Sequence, residues 1–130
     1  MNLLQTLDIV ESLPPNYIFV FGSNEMGLHR RGAAKTAMVY FKAKYKMGSG
    51  LQGRCYAIPT KKTPYKSLEL YQVKNYVDIF LRFATLHQEY RFYVTPIGTG
   101  LANFSIEDIR PLFRRAHNIP NIILHKDFYV

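Results

Sequence analysis

Tyr17-Ile18-Phe19-Val20-Phe21-Gly22-Ser23-Asn24 is the stretch on which the organisation of this chain turns. Five apolar residues follow one another without alternation, the pattern of a strand buried on both faces, as in a parallel sheet. Gly-Ser-Asn then breaks the run with turn-forming residues. Three other short runs share the pattern and its borders: Cys55–Ile58, Phe92–Thr95 and Asn121–Leu124.

Helical periodicity fills the intervals. From Arg31 to Lys46, Ala34, Ala37, Met38, Phe41 and Tyr45 recur at helical spacing, with Lys35, Lys42 and Lys46 mainly opposite and Gly48 as the stop. From Ser67 to Leu86, Leu70, Val73, Val77, Phe80, Leu81 and Ala84 make a second stripe, with Ser67 as N-cap and Glu69 in the first turn. Ser105 and Asp108 match a capping box, and Pro111 predicts that a short turn from Ser105 gives way to a helix restarted with Pro111 as its first residue. The order β-α-β-α-β-α-β, with crossovers of this length, predicts one α/β domain over residues 1–130. Its sheet is mainly parallel and covered by helices in three layers, and ligands in such sheets bind beyond the carboxyl ends of the strands.

Bulk properties agree with one domain. The 130 residues are 48% hydrophobic, enough for a core without disulfides. Cys55, the single cysteine, lies in an apolar run and reads as a small buried hydrophobe. Neither a secretory signal nor a membrane-length apolar run is visible, so a soluble, cytoplasmic protein is expected. Lys and Arg number 17 against 9 Asp and Glu, a net charge of +8 that favours anionic partners. His29, His87, His117 and His125 show no metal-ligand spacing, and no metal or cofactor is expected.

Three strand ends lead into unusual loops: Gly22 to Gly32, Pro59 to Tyr65, and Pro96 to Phe104. Glycines let backbone approach a ligand, and helix N-termini aim free N–H groups at anions. Gly27 to Thr36 is not a P-loop, because Ala33-Ala34 separates Gly32 from Lys35. Gly48-Ser49-Gly50-Leu51-Gln52-Gly53 has the letters of a dinucleotide fingerprint but follows a helix and precedes a strand, the reverse of what that site needs. Gly98-Thr99-Gly100 has the right context with an incomplete motif. No Gly-x-Ser-x-Gly elbow is present, which disfavours a serine hydrolase.

Phe19-Val20-Phe21-Gly22-Ser23-Asn24, Gly32-Ala33-Ala34, Leu51-Gln52-Gly53, Tyr56-Ala57-Ile58-Pro59-Thr60-Lys61 and Ile97-Gly98-Thr99-Gly100-Leu101-Ala102 together resemble a family of small bacterial and phage proteins related to macrodomains. The resemblance runs from about Tyr17 to Phe113. It implies a macrodomain-like fold that binds ADP-ribose or a related nucleotide or NAD-derived metabolite. Asn24 would orient the distal ribose, with Gly22 and Ser23 beside it. Gly32 and Ala33 would lie against the pyrophosphate, and Gly98, Thr99, Gly100 and Leu101 would form a second phosphate loop.

Thr60-Lys61-Lys62 with Pro64-Tyr65 and Leu68 is also similar to the lysine loop of ADP-ribose glycohydrolase macrodomains. By that likeness Lys61 is the candidate nucleophile of a weak ADP-ribosyl hydrolase activity. A phosphate counter-charge or a plain surface lysine remains an equal reading of Lys61. The third loop departs from the pattern: Gly100-Leu101-Ala102-Asn103 lacks the expected aspartate, and Glu25 on the first loop, a candidate substitute, reads more simply as a solvated loop residue. The expected partner is thus a small nucleotide-type molecule. The alternative is a basic nucleic-acid-binding or phage-assembly module using Arg30, Arg31, Lys35, Lys42, Lys44, Lys46 and the tyrosines.

Overall fold

In the computed structural model, which describes residues 10–100 and 102–129, the Tyr17–Phe21 run lies inside a longer strand, β1 (Tyr17–Asn24). Its side chains alternate between two separate cores. Ile18 and Val20 join one, while Tyr17, Phe19 and Phe21 join the other. Both faces of the strand are covered, and this is the physical reason for its unbroken apolar sequence.

The remaining elements are α1 (Gly32–Tyr40), β2 (Gly50–Gln52), β3 (Cys55–Thr63), β4 (Lys66–Ser67), α2 (Leu70–Leu86), β5 (Arg91–Val94), α3 (Ile106–Ile109) and β6 (Ile122–Ile123). Two 3₁₀ helices, Arg110–Asn118 and Lys126–Phe128, complete the fold. The six-stranded sheet runs β2-β3-β1-β5-β6, with β4 also paired to β3. β1 is parallel to β3 and β5, and β6 is parallel to β5, whereas β2 and β4 are antiparallel to β3. The result is one α/β domain with a mixed, mostly parallel sheet.

The layers follow from the two cores. Ala34, Ala37 and Phe41 pack with Phe19 and Phe21 on one side of the sheet. On the other side, Val73, Val77, Phe80, Leu81 and Ala84 of α2 pack with Phe113 and Ala116 of the longer 3₁₀ helix. Phe80 meets Phe92 edge-on at 5.4 Å, the preferred geometry of an aromatic pair. Asn121 ties the end of α2 to the sheet, its amide donating to the carbonyls of Ala84, His87 and Tyr90. Among the described residues, no helix is long and apolar enough to cross a membrane.

Several boundaries differ from the sequence expectation. α1 stops at Tyr40, not Lys46, and Tyr45 is exposed. Lys42 adopts φ 62, turning the chain so that the Ala43 N–H returns to the Ala37 carbonyl at 3.1 Å. Lysine in this left-handed conformation costs about 1–2 kcal/mol, which glycine would not incur. After allowing for glycine's greater freedom in the unfolded chain, Lys42→Gly should stabilise the protein by roughly 0.5–1 kcal/mol, read as a higher thermal midpoint.

Gly48 is not the helix stop. A β-carbon there would lie 2.5 Å from the Asn24 carbonyl oxygen, so glycine lets the connection pass beneath the first loop. Ser67 sits in β4, and Glu69 is the N-cap of α2, in a reciprocal capping box with Gln72. Capping-box geometry needs its partner three residues on, and only Glu69 has one. Ser105 caps α3, which is the short turn expected there, but the helix that follows is a 3₁₀ helix that restarts at Arg110, so Pro111 is its second residue and not its first. β2 was not foreseen because Gly50-Leu51-Gln52 is too short to show a period.

Burial pushes the Cys55 thiol from 9.0 up to about 12, which leaves it without appreciable thiolate at neutral pH. This matches its reading as a packed hydrophobe.

Candidate functional site

The carboxyl ends of β1, β3 and β5 open into a cleft of about 710 Å³. It lies where the sheet's connections diverge: β1 leads through α1 on one face, and β5 leads through α3 on the other. Such a divergence leaves a crevice between strand ends.

Every described candidate lines this cleft: Gly22, Ser23 and Asn24 from β1, Gly32 and Ala33 from α1, Thr60 and Lys61 from β3, and Gly98, Thr99 and Gly100 from the third loop. Leu101 lies outside the described residues. Arg30 and Arg31, assigned on sequence only to the nucleic-acid alternative, also line it, as does Tyr65. Position in the tertiary structure, not any motif, brings the two arginines there.

The loops interlock at the floor. A β-carbon on Gly22 would meet Thr60 Oγ1 at 3.5 Å and the Gly98 amide nitrogen at 3.6 Å, so all three strand ends converge on Gly22. Gly98 has φ 82, and a β-carbon there would press to 2.9 Å on Ile109. Thr99 Oγ1 donates to the Pro96 carbonyl, and the Phe104 N–H returns to the Gly98 carbonyl, which closes the third loop.

The second loop is ordered by β structure. Pro59–Thr63 continues β3, and β4 folds back on it. Ser23 pairs with Pro59 but Asn24 with Lys61, leaving Thr60 as an extra residue in a bulge. Bulges of this kind re-aim neighbouring side chains at strand ends. Lys61 Nζ donates to the Pro64 carbonyl at 2.5 Å inside the same turn.

Asn24 and Ser23 have occupations that sequence did not reveal. Asn24 Nδ2 donates to the Leu28 carbonyl at 2.9 Å, and Asn24 Oδ1 accepts from the Leu28 N–H at 3.0 Å. The side chain therefore stands in for a backbone turn and shapes the first loop. Ser23 Oγ donates to the Gly48 carbonyl. These are first of all loop-positioning contacts.

Glu25 is not among the residues that line the cleft, and its carboxylate accepts a hydrogen bond from the Tyr76 hydroxyl of α2. That bond, with burial and the carboxylate's charge, pushes the Tyr76 phenol from 10.0 up to about 12. The neutral phenol is the form the fold favours. Stability from this contact is thus complete below pH 10 and is lost as pH rises toward 12. Tyr76→Phe should remove that part of the alkaline loss, as measured by thermal midpoints across pH 9 to 12 (a range chosen to bracket about 10 to 12).

Electrostatically the cleft is one-sided. Among the described residues, its lining carries Arg30, Arg31 and Lys61 and no carboxylate. The first turn of α1 has no side-chain cap and no acidic residue, so its free N–H groups add positive potential at Gly32 and Ala33. Gly32 has φ 58, which keeps a side chain off this corner at no backbone cost. Among the described residues, no group of three or more His, Cys, Asp or Glu is placed to hold a metal ion.

Compared with protein-family models, with curated proteins and with solved structures, the chain matches none.

Proposed function

We propose that the protein binds ADP-ribose or a related phosphorylated nucleotide in the cleft at the carboxyl ends of β1, β3 and β5. The observation that carries this reading is the convergence of Arg30, Arg31, Lys61 and the uncapped start of α1 on one cleft without a carboxylate. Its volume falls within the range of small-molecule sites. Gly100, where a β-carbon would meet nothing within 4 Å, leaves room for a pyrophosphate, and the likeness to macrodomains makes ADP-ribose the ligand of first choice.

Binding is better supported than hydrolysis. A lysine nucleophile needs an acid to assist the leaving group. Ala102 occupies the expected aspartate position, and Glu25 is turned to Tyr76. Lys61 is therefore assigned as a phosphate counter-charge.

Calorimetry with ADP-ribose, NAD and AMP tests the proposal. Ligand at about 100 times its dissociation constant should raise stability by about 2.7 kcal/mol. Absence of heat and of thermal shift with all three at millimolar concentration overturns it. Lys61→Ala should weaken binding on the order of tenfold or more, the worth of a charged hydrogen bond. Turnover of an ADP-ribosylated substrate that vanishes in Lys61→Ala, with binding intact, would instead make Lys61 the nucleophile.

A further inference from the structure

No Asp or Glu occurs between Glu25 and Glu69, while most of the chain's basic residues fall in that stretch. Part of this charge lies in the cleft. Of the remainder, Arg54, Lys62 and Lys66 belong to the β2-β3-β4 region, and Lys35, Lys42, Lys44 and Lys46 are displayed on the solvent face of α1 and on the connection from α1 to β2.

Lys35, Lys42, Lys44 and Lys46 are all exposed, and none forms an ion pair among the described residues. Tyr40 and Tyr45 lie among them and are 46% and 58% exposed. Lys46 Nζ sits 5.7 Å from the centre of the Tyr45 ring, so a ring face and a cation are presented together.

The backbone under these side chains is held firmly. Gln52 accepts from the Lys44 N–H at 2.8 Å and donates to the Met47 carbonyl. Lys46 N–H donates to the Gly27 carbonyl at 3.0 Å, and Arg54 N–H donates to that of Phe41. Lys42 and Lys46 are both left-handed, at φ 62 and φ 65. Glycine suits both conformations better, so lysine there keeps a cation at the expense of backbone comfort.

We propose that this surface binds single-stranded nucleic acid. Lysines spaced along a rigid path match a phosphate backbone, and exposed tyrosine faces match unstacked bases. Duplex would hide its base faces from the rings. A membrane surface calls for apolar side chains beside the lysines, and among the described residues Val39 is the only exposed aliphatic in this patch. The surface is separate from the cleft lining and stands whether or not the cleft takes a nucleotide.

The test is fluorescence anisotropy with a labelled oligothymidine of about 12 nucleotides, within usual site sizes, over a salt series. Affinity should fall steeply with salt. In the double variant Lys42→Gly/Lys46→Gly, which suits the backbone and so remains folded, the slope of log affinity on log salt should be shallower by about 1.4. Tyr45→Ala should cost roughly 5- to 150-fold and Tyr45→Phe little. Saturating ADP-ribose should not displace the oligonucleotide.

An unchanged slope in the lysine variant overturns the proposal. So does displacement by ADP-ribose, or duplex binding as tight as single strand with Tyr45→Ala neutral. Retention on phosphatidylserine vesicles without oligonucleotide binding would assign the patch to membranes instead.

Discussion

Gly27→Ala is expected to destabilise the protein by about 2–5 kcal/mol, the largest loss from any single methyl group in the first loop. Gly27 has φ 71, and a β-carbon there would lie 2.3 Å from the Met47 amide nitrogen and 2.4 Å from the Lys46 carbonyl carbon. Both obstacles are backbone, so no side-chain rotation relieves them. The same residue accepts from the Lys46 N–H through its carbonyl, so moving it also pulls on the connection after α1. Thermal or urea unfolding should show the loss directly. Gly100→Ala is the control: its β-carbon meets nothing within 4 Å, and stability should change little. Equal stability of the Gly27 variant and the wild type would mean that the first loop does not rest on Lys46 and Met47.

Asn24→Ala should cost about 1–3 kcal/mol and, with it, on the order of tenfold in ligand affinity. The substitution leaves the Leu28 N–H without its partner, which costs about 1–3 kcal/mol, and takes one of two donors from the Leu28 carbonyl, which still accepts from the Arg30 N–H at 3.1 Å. The loop that carries Leu28, Arg30 and Arg31 to the cleft then loses its anchor. The order of effects is informative. Where Asn24 acts through the loop, stability and affinity fall together. Affinity that drops while the thermal midpoint holds would show that Asn24 touches the ligand itself, the role implied by the likeness to macrodomains.

Much of the fold was legible because it rests on local patterns. Tyr17–Phe21 and Cys55–Ile58 are unbroken apolar runs since both faces of a central strand are covered, and the stripe from Leu70 to Ala84 is regular because one face of α2 meets the sheet. The short pieces were not legible. Gly50–Gln52 and Lys66–Ser67 become strands only by pairing with β3, and nothing in two or three residues announces that. The lysine-rich end of α1 continued a helical pattern that the chain abandons at Lys42, where contacts with Ala37 and Gln52 outweigh helix propensity.

For the site, glycines and the loop asparagine stood out as residue types that bring backbone near a ligand, and the structure gathers the described ones around one cleft. Side-chain direction was not readable. Asn24 turned to Leu28, Ser23 to Gly48 and Glu25 to Tyr76, each partner distant or locally unmarked in sequence. Arg30 and Arg31 carried no motif, and their place beside Lys61 depends on two separate strands ending at the same edge.

Sequence alone determined the main alternation of strands and helices, the basic charge and the place of Gly-Ser-Asn at the end of the first strand, because periodicity, composition and residue type are properties of neighbouring residues; that these three residues continue β1 by pairing with β3, where turn chemistry predicts a break, was not readable. Tertiary structure alone decided that this strand end borders the cleft, that its asparagine is committed to Leu28, and that the cleft's lining is cationic. Those depend on strand order and on hydrogen bonds between residues far apart in the chain, which no local pattern encodes.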